Sequence, residues 1–130
     1  MAKRAVLLLL VGTFVWSGPA YGHHNFSPNY VLDRTVTIEG TLTHFVYQNP
    51  HSYLYVDTRD AQGHLRRWAV EWAAGAILAR DGVVTSTLKP GDQVIVTGNP
   101  GRDPQDQKIR MTILSRPSDG WKWIYQPRPS

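Results

Sequence analysis

Three alternating β-segments, a short helical stretch and two further β-segments follow one another between residues 36 and 115, and the chain holds no cysteine. That order, with turn residues between the segments, predicts an all-β chain with one short helix, built as a small OB-like five-stranded β-barrel. Another small β-barrel or a β-sandwich is the competing architecture at this length. One domain with a modest core accounts for the whole of the chain behind its N-terminal leader.

The chain opens MAKR, and an uncharged run, AVLLLLVGTFVW, follows from Ala5 to Trp16. SGPAYG comes next, small and helix-breaking. Positive charge, apolar core and small residues in that order predict a secretory signal peptide over residues 1–22. The run is shorter than the roughly 20 apolar residues a membrane-spanning helix needs. Cleavage is expected after Ala20, giving a mature start Tyr-Gly-His-His, or after Gly22, giving His-His-Asn-Phe. The expected location is therefore periplasmic or secreted, with no membrane span once the signal is removed. With no cysteine the chain is neither a lipoprotein nor a disulfide scaffold, so packing alone must stabilise it. The net charge of +4 drops to +2 without Lys3 and Arg4. No dense basic block remains, and a specific nucleic-acid partner is not expected.

Residues 23–34, HHNFSPNYVLDR, are polar and lack a period, which reads as an N-terminal arm before a barrel over 35–116. VTIEGTLTHFVYQ, 36 to 48, alternates and is rich in β-branched residues and aromatics, with Gly40 marking a bulge or bend inside it. Val36 and Ile38 share a face before that bend. Beyond it the same face continues through Leu42, His44 and Val46, or the parity flips to Phe45 and Tyr47. NPH, 49–51, is a turn. SYLYVDT sets Ser52, Leu54 and Val56 against His51, Tyr53, Tyr55 and Asp57. LRRWAVEW sets Trp68, Val70 and Trp72 against Arg67, Ala69 and Glu71. AAGAILARDG suits a short helix closed by Gly82. LKPGD is a turn, QVIVTG a fourth strand, NPGRDPQDQ a long loop and KIRMTILS a fifth strand. Residues 117–130 read as a tail whose Trp121 and Trp123 pack onto the barrel.

Five short motifs occur together: HHNF behind the signal, VTIEGTLT, NPH, Trp68-x-x-Glu71 and LKPGD-x-V. In combination they resemble a family of small exported bacterial proteins known only as a domain of unknown function. Its members typically begin His-His-Ser-Phe and carry Asn-Pro-His at the same point. The resemblance spans residues 23 to 116, with Asn25 standing where the family usually has Ser. It implies export and a small β-barrel, and it implies no activity.

The candidate metal ligands are His23, His24 and His51. Imidazole is the commonest metal ligand, and a terminal amine beside it adds a second nitrogen. A chain starting at His23 would offer amine and imidazole from one residue, with a further imidazole from His24 or His51. A chain starting at Tyr21 puts His23 third, where amine, two amides and imidazole form a square-planar set for Cu(II) or Ni(II). The competing reading is a solvated arm that binds nothing in the cell. The second candidate site is the outer face of the second and third strands. Setting Leu54 opposite Trp68 predicts Tyr53 opposite Ala69, Tyr55 opposite Arg67 and His51 opposite Glu71. Tyr53, Tyr55, Arg67 and Glu71 would then form a ligand-binding face for a carbohydrate or an anionic small molecule, since ligands dock on that face in OB barrels. A purely structural His–Glu pair with surface aromatics is the plainer alternative.

A cysteine nucleophile, a serine in a glycine-bounded elbow, paired carboxylates on one strand face and a glycine-rich phosphate loop are all missing. These absences point to a binding module rather than a hydrolase. The leading expectation is an exported protein that binds a copper-like metal ion through its N-terminal histidines, with no other cofactor. The tyrosine face is the alternative and a metal-dependent enzyme the third reading.

Overall fold

Alternation along the chain becomes a closed sheet in the computed structural model, which describes residues 28–127. The strands are β1 (Val36–Val46), β2 (Tyr53–Arg59), β3 (Leu65–Glu71), β4 (Gln93–Pro100), β5 (Lys108–Arg116) and β6 (Trp121–Ile124). One helix, α1 (Gly75–Arg80), stands between β3 and β4. The sheet order is β3-β2-β1-β4-β5-β6, and a parallel β3–β5 pairing closes the first five strands on themselves. A closed five-stranded barrel with its helix between the third and fourth strands is the OB-like architecture. It leaves none of those five strands as an open edge. No helix among the described residues is long and apolar enough to cross a membrane.

The inward side chains of every barrel strand supply the core. Leu42, Leu54, Val56, Val70, Val94, Val96, Ile109 and Leu114 are fully buried, and Leu78 of α1 joins the same cluster. Ser52, Leu54 and Val56 point inward as their alternation predicts, while Tyr53 and Tyr55 lie half-buried on the other face. Ser52 is buried without penalty because its Oγ donates to the Gln48 carbonyl and accepts from the Gln48 N–H.

Three details depart from the sequence reading. In the β2–β3 hairpin, Leu54 pairs with Val70, Tyr53 with Glu71, Tyr55 with Ala69 and Asp57 with Arg67. This is a two-residue slip from the expected register, and because it is even it preserves the faces. Its cause is the turn. Asp60 Oδ1 accepts from the N–H groups of Gln62 and His64, and Gly63 takes a φ of +83°. The loop therefore closes as a type I turn plus a glycine bulge centred one residue later than the simple pairing assumes.

In β1 both expected parities occur. Leu42 is buried, and then a shift between Leu42 and His44 turns Phe45 and Tyr47 toward the core. The bulge therefore sits at Thr43 and not at Gly40. Gly40 has a different role, because a Cβ there would lie 2.3 Å from the Asp57 carbonyl oxygen.

The third departure is the tail, where residues 121–124 form a sixth strand paired with β5. Trp123 is buried against Trp72 with ring centroids 5.2 Å apart. The hairpin signal was the Asp119–Gly120 dipeptide, whose glycine has a φ of +73°.

Candidate functional site

The polar residues of interest meet where the barrel closes. Residues 48–52 are stitched to the neighbouring segment. Gly75 N–H donates to the Gln48 carbonyl, Ser52 N–H to Ala73 and Trp72 N–H to Ser52, while Asn49 Oδ1 accepts from Ala76 at the start of α1. Pro50 follows a cis peptide bond. This stitching holds His51 beside the C-terminal end of β3, where Glu71 ends the strand. His51 Nδ1 lies 2.9 Å from Glu71 Oε1. The expected His51–Glu71 contact is thus present, although it runs diagonally, because Tyr53 is the residue directly opposite Glu71.

Tyr30 is a third member that the sequence reading missed. Its hydroxyl donates to Glu71 Oε2 at 2.5 Å, and the residue is 4% exposed. Burial first, and the bond to Glu71 second, push the Tyr30 hydroxyl far above the ordinary tyrosine range. The arm's aperiodic sequence hid this contact. Tyr30 bridges Gly101, Val31 N–H donates to the Pro100 carbonyl, and Arg102 N–H to the Asn29 carbonyl. Asn99 Nδ2 adds donors to the Leu32 and Arg34 carbonyls. The described part of the arm is therefore fixed along the end of β4. His23 and His24 lie outside the described residues. Among the described residues, no group of three or more metal-ligating side chains occurs.

The outer face of β2 and β3 differs from its expected composition. Arg67 is opposite Asp57 and not Tyr55, and it engages Asp57 with two hydrogen bonds of 2.7 and 2.9 Å. That pairing raises the Arg67 guanidinium and holds the Asp57 carboxyl below the usual carboxylate range. Tyr55 stands edge-on to His44 of β1, centroids 6.1 Å apart. Burial and then the nearby Glu71 charge push the Tyr53 hydroxyl upward. Tyr53 and Glu71 are therefore coupled, while Arg67 belongs to a separate ion pair further along the hairpin. His64 sits in the turn, 3.4 Å from Asp60, and is far from this cluster along the strand.

A cleft of about 400 Å³ opens beside the cluster, between the segment following β3 and strands β5 and β6. Trp72, Ile77, Met111 and Trp123 supply apolar walls, with Ala73 and Ala74 on the α1 side. His51, Glu71 and Arg110 are its polar members. The parallel register sets Glu71 against Arg110. The Arg110 guanidinium also lies 5.3 Å from the centre of the Tyr125 ring, itself a wall of the cleft, and donates to Asn99 Oδ1 at 3.1 Å. Arg110, Met111, Trp123 and Tyr125 reach the cleft only through the β3–β5 closure and the β6 hairpin.

The profile of a family of unknown function, DUF6152, matches residues 12–110. No curated protein matches the chain. A crystal structure of a small single-stranded DNA-binding protein from Streptomyces coelicolor is similar, with a TM-score of 0.45 and 18% identity over 64% of this chain and 91% of that one.

Proposed function

For a chain that belongs to the DUF6152 family of unknown function, we propose an exported, periplasmic or secreted, binding module that takes up a copper-like metal ion between His51 and the N-terminal histidines. An OB-like barrel is a binding architecture by habit, and the finer assignment is carried by one observation. Glu71 accepts from Tyr30 on one oxygen and contacts His51 Nδ1 with the other. A carboxylate on one ring nitrogen fixes the tautomer, orients the ring and raises the basicity of the opposite nitrogen, the arrangement typical of metal-bound histidine. Nε2 is then the ligating atom of His51.

Chain geometry supports the same reading. Tyr30 and His51 contact the same carboxylate, so the arm is anchored a few ångströms from His51. Tyr30 stands seven positions after His23, a reach of roughly 23 Å when extended. Cleavage after Gly22 makes His23 the first residue, and amine plus imidazole from His23 with Nε2 of His51 gives three nitrogens suited to Cu(II). His24 is the fallback third donor. The carbohydrate or anionic-ligand alternative keeps the rings of Tyr53 and Tyr55, but its anion contact, Arg67, is engaged by Asp57.

Cu(II) titration of the exported protein, with its N-terminus verified by mass, tests this. Affinity should collapse in His23→Ala and in His51→Ala and weaken about 10–100-fold in Glu71→Gln. Loss in His23→Ala alone would mean a local site at a chain beginning Tyr21. Unchanged affinity in His23→Ala would refute N-terminal metal binding.

A further inference from the structure

We propose that the cleft beside His51 is the seat of this chain's own Phe26, and that this docking holds the N-terminal histidines next to His51. The inference rests on the metal reading above for its purpose, and on the cleft and the anchored arm for its place.

Burial divides the lining into a floor and a rim. Trp72, Met111 and Trp123 are the floor, 3%, 3% and 7% exposed, and the two indoles pack edge to face with centroids 5.2 Å apart. No ring enters between them. The accessible part is the rim, where Pro50 and Tyr125 are exposed and Ala73, Ala74 and Ile77 are half-buried. A flat side chain lying across that rim covers apolar surface without moving the floor. The volume of about 400 Å³ is at the lower end of the range for ligand sites, room for one aromatic side chain with its flanking backbone.

The chain itself supplies the occupant. The described residues begin at Pro28, and two positions later the Tyr30 hydroxyl meets Glu71, a lining residue of the cleft. Pro28 and Asn29 form a turn directly before Tyr30, so the chain ahead of it has a route back over this end of the barrel. Phe26 stands four positions before Tyr30, at most about 14 Å of extended chain. Within residues 22–29, GHHNFSPN, Phe26 is the one large apolar side chain. It lies downstream of both expected cleavage positions, so either mature chain carries it. Seating the ring removes apolar surface from water on both sides of the contact. The short tether from Tyr30 adds an effective concentration in the millimolar range, an advantage that a free partner lacks.

Docking there has a consequence for the histidines. His24 and His23 stand two and three positions ahead of Phe26, a reach of about 7–10 Å. His51 lines the same cleft, with its Nδ1 on Glu71. A seated Phe26 therefore brings imidazoles from two distant parts of the sequence to one place before any ion arrives. Ordering the donors in advance removes part of the entropy cost of assembling the site. Phe26 touches no ion in this scheme and is a positioning residue.

The test begins with the full exported protein, its N-terminus verified by mass and a chelator present, so that metal plays no part. Isotope-edited NMR should show contacts from the Phe26 ring protons to the methyl groups of Ala73, Ala74 and Ile77. A mixture of labelled and unlabelled chains should show those contacts to be within one molecule. Cu(II) titration follows with the chelator removed. Phe26→Ala, which lies outside the barrel and should keep the wild-type melting profile, should weaken Cu(II) at least fivefold. Contacts that persist while His23→Ala leaves Cu(II) affinity unchanged would support the docking and sink the metal reading alone. Four results would overturn the proposal: no contact from Phe26 to the cleft, contacts to Tyr53 and Tyr55 instead, contacts that form only after Cu(II) is added or only between molecules, or Cu(II) affinity that is lost in His23→Ala yet unchanged in Phe26→Ala.

Discussion

Tyr30→Phe removes one oxygen from the interior and leaves the ring in place. The buried area is nearly unchanged, so the cost reports the polar contacts of a buried phenol, chief among them the hydrogen bond to Glu71 Oε2 at 2.5 Å. Hydrogen bonds to a charged partner contribute about 1.5–3 kcal/mol. Glu71 keeps His51 as a second partner, which argues for the lower half of that range. With a urea slope of about 1–3 kcal/mol per molar for a domain of this size, the unfolding midpoint should drop by about 1 M. The pH dependence has a defined sign. Burial and Glu71 raise the hydroxyl pKa of Tyr30 in the folded state above its ordinary value of 10.0. Its stabilisation is therefore whole below pH 10 and lost as the pH rises beyond it, because the unfolded chain ionises and the folded one resists. Urea unfolding of wild type and Tyr30→Phe at pH 8 and at steps above pH 10 should show a gap that narrows with alkalinity. Tyr53 is present in both proteins, so its own upward shift cancels in the difference. Equal midpoints at pH 8, or a gap that stays constant to pH 11, would refute the account of Tyr30 as the anchor of the arm.

Leu54→Ala should cost about 2–5 kcal/mol, since Leu54 is fully buried in the barrel centre, while Tyr55→Ala on the outer face should cost much less; urea titration of both variants checks the face assignment. Arg116 gathers the Thr87 carbonyl, Asp92 and both oxygens of Asp119, and its guanidinium lies 5.6 Å from the centre of the Trp121 ring. Arg116→Met keeps the aliphatic stem, so the loss, about 1.5–3 kcal/mol, reports the polar contacts. Arg116 is the chief cause holding the Asp119 carboxyl below its ordinary value of 3.8, so this stabilisation is present above that pH and lost as the pH falls below it. The gap between wild type and variant, measured by thermal melts from pH 6 down to pH 2.5, should therefore shrink on the acid side.

The barrel strands were legible because long stretches of each follow a period of two that burial enforces. Leu54 and Val56 point inward for the same reason that the sequence alternates there. What escaped was information carried by turns and by distant pairing. The two-residue slip in the β2–β3 hairpin came from Asp60 and Gly63, whose side-chain and backbone preferences shift the turn without altering any hydrophobic residue. The flip in β1 came from a bulge at Thr43, and a bulge inserts one residue into one strand with no compositional mark. β6 was hidden by its brevity, although Asp119–Gly120 announced its turn and Trp121 and Trp123 alternate with Lys122 and Ile124. The arm's fixed part was not legible at all. Tyr30 finds Glu71 across 41 positions of sequence, and nothing local to either residue encodes that pairing.

Glu71 shows why the site is where it is. It is paired laterally with Tyr53 of β2 and with Arg110 of β5, and its carboxylate reaches Tyr30 of the arm and His51 of the loop before β2. The β3–β5 seam that brings Arg110 there consists of only three residue pairs, Ala69 with Lys108, Val70 with Ile109 and Glu71 with Arg110. Closing a barrel at so short a seam leaves the last carboxylate of β3 at the rim, where it is partly shielded yet still near solvent. Such a position lets one carboxylate meet the Tyr30 hydroxyl on one oxygen and the His51 ring on the other. The neighbouring cleft has the same origin. β5 turns away from β3 after three pairs and continues alongside β6, and the gap left between the diverging elements is walled by Trp72 on one side and Met111 and Trp123 on the other. The carboxylate shared by Tyr30 and His51 and the neighbouring cleft are thus two consequences of one topological event, the short parallel closure.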